Sequence, residues 1–326
     1  MLKIRSLLLY GVLLGLSANL SAETEFEGAA RLIKAENFSA AQQLLDQALQ
    51  SNPRNADALY WMGKLQWAKK DPEKAVEFAD KAIAINPGNA SYYVLRGNAL
   101  GNLAQNANMF RAMGLASDSL ESYEKAVDLE PGNRIAVLAL FNYYFTVPAI
   151  AGGSLDKAQA LAERTQAQDP SRAHYLKGLL LKKQKNHDKA HEEYRLAVVA
   201  DPNYADAHNA MGYAELERKQ IDTALTHFHK QVELAPDNAN SYDSLGDGWA
   251  AKGNLDEAIN AYRKALALNP LFSPSMLSLG KTLERAGRRD DAIAHYRQCV
   301  QLGTEKDTPP IVDEAKKRLK ALGVKP

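Results

Sequence analysis

A single cysteine, Cys299, is all that the 326-residue chain contains, and this excludes an internal disulfide. A surplus of one charge is also missing: 40 Lys and Arg stand against 39 Asp and Glu, for a formal net charge of +1. No broad field therefore steers the chain to nucleic acid or to an anionic membrane. Long apolar runs are absent apart from Leu7 to Leu16, which is short for a membrane span. There is no phosphate loop, no dinucleotide glycine fingerprint and no Gly-x-Ser-x-Gly elbow. His187 and His191 have the four-residue spacing of a two-histidine metal face, with Glu192, Glu193, His227 and His229 nearby. However, no HExxH, cysteine pair or third fixed ligand accompanies them, so they read as a solvated helix face. Asp237, Asp243 and Asp247 lack the spacing of a calcium loop. No catalytic residue, metal or cofactor is assigned, and the chain reads as a non-enzyme.

What the chain does have is a period. Prolines at 53, 87, 131, 170, 202, 236 and 270 divide it into units of 34 residues or slightly off it. In the cleanest unit, Ala239 to Phe272, Tyr242, Leu245, Gly246 and Trp249 recur at helical spacing. Gly253-Asn254 then breaks the run, and Ala258, Tyr262 and Ala265 recur before Pro270. That is a helix, a turn and a second helix. Gly246, Ala258 and Ala265 stand where two antiparallel helices must approach closely, and the large residues fill the holes between them.

This pattern resembles the tetratricopeptide repeat along nearly the whole chain. The unit at 56 carries Leu59, Met62, Gly63, Ala75, Ala82 and Pro87, and the unit at 205 carries Met211, Gly212, Ala224, Phe228 and Pro236. The unit at 273 carries Leu279, Gly280, Leu283, Ala292 and Tyr296, with Cys299 at a small-residue site, where a buried structural thiol is expected. The first unit has Gly28 where a large residue is usual, and the fifth puts Lys177 at an apolar site. The resemblance implies an all-α fold, a right-handed superhelical solenoid of about eight repeats. They are placed near 22–55, 56–89, 90–133, 134–170, 171–204, 205–238, 239–272 and 273–306.

Two units are too long. The third holds ten extra residues around 105–111 and the fourth about five around 148–153. Both are expected at the turn between the two helices of their repeat, projecting from one edge. There Met109, Phe110 and Ile150 are expected to form a docking ridge. At the C-terminus, residues 307–326 are expected to form a capping helix, with Ile311, Val312, Ala315, Leu319 and Leu322 on one face. At the N-terminus, Lys3 and Arg5 precede the apolar run and Ser17 to Ala22 follow it. Residues 1–22 thus read as a secretory signal peptide cleaved after Ala22, with an uncleaved inner-membrane signal anchor as the alternative. Export to the periplasm, or secretion, is the expected location.

The resemblance places the partner-binding groove on the first helix of each repeat. Carried over, this gives Tyr60, Lys64 and Trp67, then Asn98 and Asn102, then Asn142 and Phe145, then Tyr175, Asn209 and Tyr213, and finally Asp243 and Asp247. Amides can pair with the backbone of an extended peptide whatever its side chains, and the aromatics can anchor it. Asp243 and Asp247, one turn apart, suit a basic segment of the partner. The cationic clamp by which the chaperone-binding branch of the family holds a carboxylate cannot be assembled here. The function expected is a non-catalytic scaffold or adaptor for a protein or extended peptide in envelope assembly, secretion or maturation. The alternatives are a holder of unfolded exported chains and, last, a metal-dependent or cryptic enzyme. Nothing in the sequence addresses homo-oligomerisation.

Overall fold

The computed structural model describes residues 21–303 and 309–325. Residues 1–20, which hold most of the expected leader, lie outside the described residues. Among those described, the chain forms seventeen α-helices, one 3-10 turn and no strand. They follow one another as α1 (Ser21–Lys34) and α2 (Phe38–Ser51), α3 (Ala56–Ala68) and α4 (Pro72–Ile85), α5 (Ala90–Gln105) and α6 (Met109–Leu129), and α7 (Arg134–Thr146) and α8 (Leu155–Thr165). Next come α9 (Pro170–Lys183) and α10 (His187–Ala200), α11 (Ala205–Glu217) and α12 (Ile221–Leu234), α13 (Ala239–Lys252) and α14 (Leu255–Leu268), α15 (Ser273–Arg285) and α16 (Arg289–Gly303), and the single α17 (Pro309–Ala321).

The pairs recur because their local chemistry recurs. Asn55, Asn89, Asn133 and Asn238 each turn a side-chain oxygen back onto a backbone N–H in the first turn of α3, α5, α7 and α13. Asp71, Asn186 and Asn254 do the same for α4, α10 and α14. Each such cap contributes about 1 kcal/mol. Within five pairs a glycine of the first helix faces an aromatic ring of the second. The partners are Gly97 and Tyr123, Gly178 and Tyr194, Gly212 and Phe228, Gly246 and Tyr262, and Gly280 and Tyr296. A Cβ on Gly212 would sit 2.3 Å from the Phe228 ring, inside any van der Waals contact. Phe228 is fully buried as a result, and burial of such a side chain contributes about 1.5–3 kcal/mol.

The chain divides into two compact units, Met1–Leu161 and Ala162–Pro326. The first has a core around Ala41, Leu45, Met62 and Leu65. In the second, Tyr262, Leu279, Tyr296 and Cys299 are buried together with Ala315 and Leu319 of α17, so that helix closes the end of its unit. Cys299 is 2% exposed and burial pushes its thiol up to about 12.

The structure corrects the expected projecting turn in the third repeat. The turn between α5 and α6 is only 106–108. Asn108 caps α6 by accepting from Arg111 N–H, and the extra residues lengthen α6 to 21 residues against 14 in α4, α10, α12 and α14. The insertion in the fourth repeat is a loop, as expected, with a 3-10 turn at Ala149–Ala151.

Candidate functional site

In the first unit four of the seven expected groove residues line one cavity. Trp67 of α3, Asn98 and Asn102 of α5, and Asn142 of α7 line one pocket of about 600 Å³. The other wall is built by the insertions. Met109, Met113 and Ala116 come from the added turns of α6, and Pro148 and Ala151 come from the loop after α7. Tyr143 ties the two insertions together, its Oη lying 2.8 Å from the Ala116 carbonyl oxygen and 2.6 Å from that of Ala151. The loop keeps its shape because Gly152 holds φ +93° and because a Cβ on Gly153 would stand 1.7 Å from the Val147 carbonyl oxygen. Ser154 N–H then donates to the Tyr144 carbonyl at 2.8 Å, leading the chain into α8.

The lining is uncharged. Tyr123 Oη of α6 donates to Asn98 Oδ1 of α5 at 2.8 Å. Burial pushes that phenol up to about 12, so it remains a donor at neutral pH. With its oxygen engaged, Asn98 offers its amide nitrogen as a donor. Outside the pocket, Phe110 and Ile150 are 84% and 82% exposed, and Met109 at the pocket's edge is 70% exposed.

Other groove candidates of this unit are packing residues. Tyr60 is half-buried against Trp61 and Tyr92, with ring centroids 5.6 and 5.3 Å away, and burial raises its phenol above the usual range. Burial lowers the half-buried Lys64 ammonium. Phe145 stacks on Phe141 at 5.4 Å.

In the second unit the expected groove residues bond to one another. Asn209 Nδ2 donates to Gln231 Oε1 at 2.9 Å and to Ser244 Oγ at 2.6 Å. Tyr213 and Tyr262 donate to the two oxygens of Asp247, at 2.8 and 2.7 Å. Ser275 Oγ donates to Asp243 Oδ1 at 2.6 Å. Tyr175 packs against Tyr194 and Tyr204, and burial pushes its phenol up to about 12. The expectation that Asp243 and Asp247 present charge to a basic partner is therefore corrected. Asp243 is 6% exposed and desolvation raises its carboxyl to about 7, while Asp247 is also raised by burial and already engaged by two phenols. His187 and His191 face different carboxylates of α11, Glu217 at 2.9 Å and Glu215 at 2.8 Å.

Two family models for the tetratricopeptide repeat match the chain, one over 32–99 and one over 149–205 and 244–305, together more than half its length. The chain belongs to the tetratricopeptide repeat family. Among curated proteins, the DnaJ homolog subfamily C member 7 homolog of Schizosaccharomyces pombe is 27% identical over 154 residues, 47% of this chain and 30% of that protein. The chain thus spans less than a third of that relative's length. Among solved structures, yeast Tom70 superposes with a TM-score of 0.62 at 17% identity, covering 88% of this chain and 59% of the other. The IFIT1 monomeric mutant superposes with 0.59 at 18% identity, covering 93% and 72%. Both show the same fold.

Within this tetratricopeptide array, sequence reasoning missed Met113, Ala116 and Tyr143. The signal for the first two was there: Met109, Met113 and Ala116 recur at four and three residues, one face of a helix. The polar run of asparagines before them was read as a turn, whereas its last member caps the helix that carries them.

Proposed function

We propose that this tetratricopeptide array is a non-catalytic, exported scaffold that holds a segment of a partner protein in the pocket of its first unit. The observation that carries the reading is the meeting of Trp67, Asn98, Asn102 and Asn142 on three successive first helices around one cavity. Repeat arrays present such surfaces, and binding in them needs no chemistry from the chain itself. Residues 1–22 support export to the periplasm, where the partner would be an envelope, secretion or maturation component. Among the described residues no helix is long and apolar enough to cross a membrane.

The test is in-cell cross-linking from the periplasm followed by identification of what is captured, with Trp67→Ala and Asn142→Ala combined. Trp67 and Asn142 line the pocket, and Asn142 is exposed, so the double variant should keep its helicity and melting temperature while losing a specific partner. Unchanged partner recovery would sink the pocket assignment. A phosphatase fused after residue 22 reports export directly. The exposed Met109, Phe110 and Ile150 favour one second reading, a holder of unfolded exported chains. Suppressed aggregation of several unrelated clients would support that reading, and strict selectivity for one partner would exclude it.

A further inference from the structure

We infer that the segment held in the first unit's pocket is extended, uncharged and apolar, with two large side chains on one face and a backbone carbonyl received by Asn98. This deepens the scaffold reading and rests on it. Charge decides the class of occupant. Asp, Glu, Lys and Arg make up 24% of the chain, yet none of them lines this pocket. A terminal carboxylate or an acidic motif finds no cation there, and a basic motif finds no anion. Either would be desolvated without a partner, which is costly. An apolar side chain carries no charge to desolvate on entering.

Shape and polarity narrow the occupant further. Gly101, Ala112, Ala116 and Ala139 are small residues in the lining, and they leave depth that a partner's side chain can fill. The cavity of about 600 Å³ falls within the about 300–1,000 Å³ typical of ligand sites. Met109 and Met113 supply unbranched, polarizable walls that repack around differing apolar shapes, so the pocket selects a class of side chain, not one residue. Asn98 sets the direction. Its Oδ1 already accepts from Tyr123 Oη at 2.8 Å, which fixes the amide's orientation and leaves its two Nδ2–H donors for a carbonyl oxygen. An extended backbone supplies such a carbonyl between side chains that point the same way two residues apart.

The test titrates the whole array calorimetrically with capped nine-residue peptides of a Gly-Ser host carrying Leu and Phe two residues apart. Its counterparts replace both apolar residues with Lys or with Glu. The Leu-Phe peptide is expected to bind at least tenfold more tightly than either charged version. Met113→Glu should reduce that binding at least tenfold, because Met113 is 44% exposed and its loss puts charge in the wall without touching the core. Asn98→Asp keeps the acceptor for Tyr123 but removes the donor, and should weaken binding several-fold with an unchanged melting temperature. Preference for a charged peptide overturns the inference, as does apolar binding that Met113→Glu leaves unchanged, or no binding by any peptide. Concentration-dependent self-association that Met113→Glu abolishes would make a second copy the occupant and overturn it as well. In each of these outcomes a partner captured in the cell still supports the scaffold. Failure of that capture removes the scaffold reading on its own.

Discussion

Lys219 stands in the turn between α11 and α12 with φ +62°, and the same backbone recurs at Glu36, Lys70 and Lys185, with Gly253 and Gly287 in the matching turns at φ +85° and +75°. Positions 185, 219, 253 and 287 are one repeat apart, so in these units a single left-handed residue follows the first helix whether or not it is glycine. A side chain there costs about 1–2 kcal/mol, partly offset by the roughly 0.4–1 kcal/mol of extra unfolded-state freedom that glycine brings. Lys219→Gly is therefore expected to stabilise the array by about 0.5–1 kcal/mol. Seven residues earlier, Gly212→Ala works the other way. Its new Cβ meets the Phe228 ring at 2.3 Å, and overpacking of this kind costs about 1–3 kcal/mol. Urea midpoints at a common slope should move in opposite directions for the two variants. A Gly212→Ala midpoint that does not fall would mean that the helix-to-ring contact is not what places glycine at 212.

At the scale of elements, the loop after α7 and the added turns of α6 stand or fall together through Tyr143. Gly153 is the residue that permits the loop, since a Cβ there would overlap the Val147 carbonyl oxygen at 1.7 Å. Gly153→Ala should open the loop, remove the contact between Tyr143 and Ala151, and cost about 1–3 kcal/mol. Binding of the Leu-Phe peptide should fall at least tenfold, because Pro148 and Ala151 leave the pocket wall. A loss of stability with undiminished peptide binding would separate the loop from the site. The helix pairs themselves were legible because prolines, small residues and aromatics repeat with the period that pairing needs. The long α6 was not, because Gln105 to Asn108 has the composition of a turn and only hydrogen bonding reveals Asn108 as a cap. The second unit's groove was misread for a related reason. Tyr213 bonds to Asp247, 34 residues on, and Ser275 bonds to Asp243, 32 residues back. A polar residue on a first helix therefore finds its partner one repeat away, beyond the reach of any local pattern but within reach of the period itself.

At the scale of the whole molecule, buried ionisable groups give folding a pH dependence whose parts can be told apart. Asp243 is raised from 3.8 to about 7, first by desolvation, with the Ser275 hydrogen bond opposing it and Asp247 adding to it. Burial raises the neighbouring Asp247 as well, with Tyr262, Tyr213 and Lys281 opposing it. Between those values the folded chain holds a proton that the unfolded chain has released. The stabilisation is thus full below about pH 4 and is lost as pH rises through about 7. His227 has the opposite slope. Burial and the facing His208, whose Nδ1 lies 3.0 Å away, lower its pKa below 6.5, so stability falls as pH drops below that value. Asp243→Asn isolates the first effect, because an amide oxygen still accepts from Ser275 and carries no charge, while His227 is the same in both proteins. The difference in stability between variant and parent should be near zero at pH 4 and grow through neutrality in favour of the variant, reaching at most about 4 kcal/mol by pH 8. Thermal or urea unfolding of both proteins across that range measures it. A difference that stays flat from pH 4 to 8 would mean that Asp243 is ionised throughout in the folded array, and that the carboxylate between α13 and α15 is held by charge, not by burial as an acid.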